Sequence, residues 1–127
     1  MVGFKELLSV FRNYRHSERN SGDVRKNITI YSSFNNSIKM ECVLTDDHLT
    51  EVYFLNNQFY ELEEESLLII AKDITEGRYS VRTGFFGKQK WIVSDSLSIG
   101  PERTTKDDLD IYQMLPVAFD DIERQTG

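Results

Sequence analysis

A chain of 127 residues with 15 Lys and Arg against 21 Asp and Glu has the size of one domain and a net charge of −6. Its 39% apolar and 28% charged residues are the composition of a folded globule and exclude a disordered chain. The acidic balance disfavours nucleic acid and anionic lipid as partners, and a single cysteine, Cys42, excludes an internal disulfide.

Phe4, Leu7, Leu8, Phe11 and Tyr14 recur at the spacing of one helical face, which predicts a helix over residues 3–16. His16 would then sit at a solvated helix end. Ser17 to Asp23 is polar and contains Asn20-Ser21-Gly22, so a loop is expected there. From Asn27 the period changes to two. Ile28 and Ile30 alternate with Thr29 and Tyr31, and Ile38, Met40, Cys42 and Leu44 alternate with Lys39, Glu41, Val43 and Thr45. These read as two strands joined by an Asn35-Asn36 turn, because Asn tolerates the positive φ of a tight hairpin.

Asp46-Asp47-His48 marks the next break, and Leu49 to Leu55 a third strand. Asn56-Asn57 repeats the turn, and Gln58 to Leu62 forms a short fourth strand. Glu63 to Glu65 is a solvated run. Ser66 to Ala71 is continuously apolar at its centre (Leu67, Leu68, Ile69, Ile70), and its length and β-branching favour a buried strand. Thr75-Glu76-Gly77 turns the chain into a strand over Arg78 to Thr83, with Tyr79 and Val81 on one face. Gly84 to Gly87 connects it to Lys90 to Ser94, where Trp91 and Val93 share a face. After Gly100-Pro101, Thr104 or Thr105 can cap a C-terminal helix whose first turns hold Asp107, Asp108 and Asp110, where carboxylates offset the helix dipole. Leu109, Tyr112 and Leu115 give that helix an apolar face, and Pro116 ends or kinks it.

The expected architecture is α+β: one domain over residues 1–127, an antiparallel meander of about seven short strands, barrel- or sandwich-like, with an N-terminal and a C-terminal helix. In outline, seven strands and a terminal helix resemble the pleckstrin-homology architecture. That resemblance would imply a lipid- or peptide-binding module. The basic loop such a module uses between its first two strands has no counterpart in the uncharged Asn35-Asn36.

Catalytic chemistry finds little support. His16 lies in a basic polar stretch, His48 follows Asp46 and Asp47 but no second ligand cluster pairs with it by spacing, and Cys42 lies on an apolar strand face where thiols are inert. No phosphate loop, nucleophile elbow or HExxH is present. Asn27-Ile28-Thr29 and Asn35-Asn36-Ser37 fit the glycosylation sequon, but no secretory signal segment precedes them, so they read as turn chemistry in a cytoplasmic protein. No enzyme activity, cofactor or metal is expected, nor nucleic acid or a stable membrane association.

What remains is charge. Residues 1–26 carry six basic and three acidic groups, and residues 27–127 nine basic and eighteen acidic. An acidic body favours a basic protein partner. The expected surface comprises Glu61, Glu63, Glu64 and Glu65 at a strand end together with Asp107, Asp108 and Asp110 at a helix start. A concrete form is an immunity protein or inhibitor that neutralises a basic toxin or nuclease. A secretion-chaperone-like role fits the same size and charge.

Overall fold

The computed structural model describes residues 1–22, 24–32, 38–84, 87, 89–105, 109–117 and 119, and all but the side chains of Ser21, Leu109 and Asp110 among them. Helix α1 spans Phe4–Phe11 and buries Leu7 and Phe11. It ends well before the expected residue 16. The Tyr14 N–H closes a turn onto the Phe11 carbonyl, and the chain then enters strand β1, His16–Ser21. This strand replaces the expected polar loop. Its sequence has no apolar alternation. It is extended because the open edge of β2 (Arg25–Tyr31) offers it an antiparallel ladder, Ser17 opposite Thr29 and Arg19 opposite Asn27.

Strands β3 (Lys39–Thr45), β4 (His48–Phe54) and β5 (Asn57–Phe59) continue the sheet. Ile38, Met40, Cys42 and Leu44 are all buried as the alternation predicts, but Val43 of the opposite set is buried as well, at the point where the β3–β4 ladder shifts register. Asp46 and Asp47 both adopt positive φ, 51° and 61°, the two-residue geometry whose twist matches a hairpin.

The next element corrects the sequence reading. Residues 66–71 lie in helix α2, Glu64–Glu76, and not in a strand. Leu67, Ile70, Ala71 and Ile74 follow the i, i+3, i+4, i+7 spacing and are buried against the sheet, while Ile69 is turned outward. Glu64 and Glu65 occupy the first turn, where the helix dipole favours them. Gly77 ends the helix at φ 72°, a conformation that costs other residues about 1 kcal/mol or more.

Strands β6 (Tyr79–Thr83) and β7 (Lys90–Ser94) form a separate two-stranded sheet, and β8 (Arg103–Thr104) adds to β5. The large sheet runs β1-β2-β3-β4-β5-β8, antiparallel throughout, and is open rather than a closed barrel. The strands differ from the predicted single meander of seven: β1 and β8 are gained, 66–71 is lost to α2, and β6 and β7 stand apart in their own sheet. A helix between β5 and β6 and an open sheet also depart from the pleckstrin-homology outline. In place of the expected C-terminal α-helix, Leu109–Met114 form a short 3-10 helix, and Thr104 lies in β8 opposite Asn57. The Asn35-Asn36 turn, Asp107 and Asp108 lie outside the described residues, as does the side chain of Asp110.

Both helices cover one face of the large sheet. Ile28, Ile30, Met40, Phe54 and Phe59 from the sheet join Leu7 and Phe11 from α1 and Leu67 and Ile70 from α2 in one buried cluster, which Tyr79, Ile92, Tyr112, Val117 and Phe119 complete. The opposite face carries a cross-strand row of Thr29, Glu41, Tyr53 and Gln58, each half-buried.

Candidate functional site

The structure divides the predicted glutamate run. Glu64 Oε1 accepts the Val2 N–H at 3.3 Å and lies 2.9 Å from Nδ1 of His48. Glu65 Oε1 lies 3.1 Å from the Met1 ammonium. A hydrogen bond to its own backbone and the bond to that ammonium hold the Glu65 carboxyl below the usual carboxylate range, and Glu65 in turn raises the amino group. These two carboxylates therefore hold the first residues of the chain against α2 and the β3–β4 turn. Glu61 and Glu63 differ. Both are exposed, and the carboxylate of neither forms a hydrogen bond or ion pair with another described residue, although the Glu63 carbonyl accepts the Leu67 N–H at 3.0 Å. Beside them the Tyr60 N–H donates to Glu102 Oε2 at 2.9 Å, and the Tyr60 ring is exposed. The structure thus presents Glu61, Glu63, Glu102 and Tyr60 around the approach to α2. Glu102 was absent from the sequence reading because it is forty residues away in the chain.

A cleft of about 720 Å³ opens on the other side of the chain start, between α1 and the β3–β4 turn. Phe4, Lys5, Lys26, Asp46 and Asp47 are among its walls. Asp47 Oδ1 accepts the Phe4 N–H at 2.8 Å and so caps α1 from a distant turn. Gly3 is needed for this approach, since a Cβ there would lie 2.8 Å from Asp47 Oδ2. Lys26 Nζ stands 4.8 Å from the centre of the Phe4 ring. With Asp47 and Lys26 engaged in this way, the cleft reads as the seam where α1 docks.

Two polar clusters went unrecognised in the sequence. Asp73, on α2, is 1% exposed and accepts hydrogen bonds from Ser94 Oγ at 2.6 Å, Ser96 Oγ at 2.7 Å and the Ser96 N–H at 3.0 Å, with Arg78 Nε at 3.6 Å. It ties α2 to the end of β7. The signal was available: read as a helix, 64–76 puts Asp73 beside Ile70 and Ile74 on the buried face. The second cluster is built from the β4–β5 turn. Asn57 donates to the Phe54 carbonyl and to the Tyr112 hydroxyl and accepts the Ile92 N–H at 3.1 Å. Asn56 donates to the carbonyls of Lys90 and Thr105 and accepts from the Tyr112 hydroxyl. Both Asn side chains are spent on joining the two sheets and the 3-10 helix.

The remaining reactive types are accounted for by structure. His16 Nδ1 lies 2.7 Å from the Tyr14 carbonyl at the start of β1, and His48 partners Glu64. Burial pushes the Cys42 thiol up to about 12. Burial, then a hydrogen bond to Glu51, raises the Tyr53 hydroxyl to about 12. Among the described residues no cluster of His, Cys, Asp and Glu is placed to hold a metal ion, and no helix is long and apolar enough to cross a membrane. The chain matches no protein-family model, no curated protein and no solved structure. Its function has to be argued from its own residues.

Proposed function

We propose that this chain is a cytoplasmic, acidic protein-binding module that engages a basic partner without a cofactor, in concrete form an immunity protein or inhibitor that masks a toxin or nuclease. The observation that carries the reading is the contrast within one glutamate run. The Glu64 and Glu65 carboxylates are bound to the chain's own first residues and to His48, whereas the Glu61 and Glu63 carboxylates are exposed with no partner among the described residues. Exposed carboxylates without a fold role are free to meet cations on another protein. Each such pair contributes about 0–1 kcal/mol to affinity, so their main effect is on the rate and selectivity of encounter. The exposed Tyr60 beside them offers the kind of aromatic anchor that interfaces use.

The test starts by capturing the partner from the native host and identifying it by mass spectrometry. Association rates are then compared for wild type and for Glu61→Lys/Glu63→Lys, leaving Glu64 and Glu65 in place because they hold the chain start. The variant should melt with the wild type. It should associate tenfold or more slowly at about 0.05 M salt, with the difference closing toward about 0.5 M as the Debye length shrinks. Equal rates at both ionic strengths would remove the basis for this reading.

A further inference from the structure

Among the described residues the small sheet leaves one edge without a strand. Two hydrogen bonds fix which residues of β6 face β7: Gly84 N–H to the Gln89 carbonyl at 2.8 Å, and Asp95 N–H to the Arg78 carbonyl at 3.2 Å. In an antiparallel strand the N–H and C=O of one residue point to the same side, and the side alternates along the chain. Ser80 and Arg82 therefore bond to β7, and Tyr79, Val81 and Thr83 direct their N–H and C=O groups away from it. The far side of β7 is occupied. Its Ile92 N–H donates to Asn57 Oδ1, its Lys90 carbonyl accepts from Asn56 Nδ2, and its Ser94 N–H donates to the Ile99 carbonyl. Nothing comparable meets β6 among the described residues, and Ser80 to Thr83 are all exposed.

A row of open backbone groups is a template for another strand. The large sheet also has an open edge, β1, but that strand is polar from His16 to Ser21 and carries Glu18 and Arg19, the charged kind of edge that water satisfies. On β6 the outward register holds Tyr79, Val81 and Thr83. None is charged, two are β-branched, neither proline nor bulge interrupts the strand, and Val81 is 37% exposed.

We propose that β6 pairs antiparallel with β6 of a second copy of this chain, about a twofold axis at Val81. This register sets Val81 against Val81 of the copy and Tyr79 against Thr83, and each of these pairs can exchange both backbone hydrogen bonds. Ser80 falls opposite Arg82, so no like charges are opposed. The outcome is a continuous four-stranded sheet, β7-β6-β6-β7. The edge is self-complementary, which is what a twofold contact demands and a foreign strand does not need. A contact five residues long buries well under the ~1,200 Å² of a stable interface, so the association is weak and reversible.

Sedimentation velocity on the full chain from about 10 µM to 1 mM spans the range of such an association. Wild type should shift from monomer toward dimer. Val81→Pro removes only an outward N–H that no bond in the β6–β7 ladder uses, and edge strands accept proline at such positions. It should stay monomeric throughout. Val81→Lys keeps the backbone donor but sets two ammonium groups face to face at the axis, so it carries the test should the proline variant fail to fold. Amide exchange gives a second readout: Val81 and Thr83, exposed in a single copy, should exchange fast in dilute samples and become protected at the highest concentration. A wild type that remains monomeric at about 1 mM, or folded variants that associate as it does, would overturn the proposal. Protection of the Val81 amide at every concentration would overturn it as well, because the edge would then be paired within one chain.

Discussion

Replacing Asp73 by Ala should remove a large share of the stability of this fold. The carboxylate is buried and accepts three hydrogen bonds, two from serine hydroxyls and one from a backbone N–H, all between 2.6 and 3.0 Å. Alanine leaves those donors without an acceptor. Ser94 is buried, so its hydroxyl carries the full desolvation penalty of about 1–3 kcal/mol. Ser96 is exposed and can turn to water, as can Arg78, whose side chain is 56% exposed. Losing a buried charge returns part of its own desolvation cost. The net expectation is a loss of about 2–3 kcal/mol, from a total that is ordinarily about 5–15. For a chain of this length that is a fall of roughly 10 °C in Tm. Denaturant titration of wild type, Asp73→Ala, Ser94→Ala and the double variant closes a cycle. The Asp73–Ser94 coupling should be about 1 kcal/mol or more, as for groups in direct contact. A loss below about 0.5 kcal/mol for Asp73→Ala, in the range of surface substitutions, would show that the cluster does not hold α2 to β7. The folded variant should still bind whatever the wild type binds, since Glu61 and Glu63 lie at the opposite end of α2.

The Cys42 thiol, pushed up to about 12 by burial, should resist alkylation at pH 8 in the folded protein and react at once in denaturant; labelling at the rate of a free thiol without denaturant would place Cys42 outside the core. Burial also raises the Tyr79 hydroxyl from 10.0 to about 12, so its neutral form is favoured by folding. That contribution is fully present below pH 10 and is lost as pH rises through about 12, so a base-induced weakening should appear in that window and diminish in Tyr79→Phe. The same variant gives up the bond from the Val117 N–H, 3.2 Å from the hydroxyl, and should melt lower by about 1 kcal/mol at neutral pH; unchanged melting and unchanged base sensitivity would argue against both roles.

Much of the sheet was legible because its signal is local. From Ile38 to Leu44 every second residue is apolar, the pattern of a strand with one face on a core, and the structure buries the residues that alternation selects, adding Val43 where the register with β4 shifts. The Asp46-Asp47 break was equally local, since short polar side chains tolerate the left-handed backbone of a hairpin. Helix α2 was misread for a definable reason. Leu67, Leu68, Ile69 and Ile70 form an unbroken apolar run, and such a run has no period to separate a strand from a buried helix. The discriminating residue, Ile74, lay just beyond that run. Strand β1 could not have been found by pattern at all. His16 to Ser21 has no apolar face, and it is extended only because β2 presents unpaired backbone groups alongside it.

For the site, composition determined the sign of the surface and the poverty of reactive side chains. Those are sums over residues and need no coordinates. Which carboxylates are free is a question of distance, and only the tertiary structure decided it. Residues as far apart as Val2, His48 and Glu64, or Asp73, Ser94 and Ser96, meet only after the chain has folded. A glutamate run reads as one feature in sequence. Folding commits Glu64 and Glu65 to the chain's own start and leaves Glu61 and Glu63 to the solvent, because α2 begins between them and turns their side chains to different neighbours.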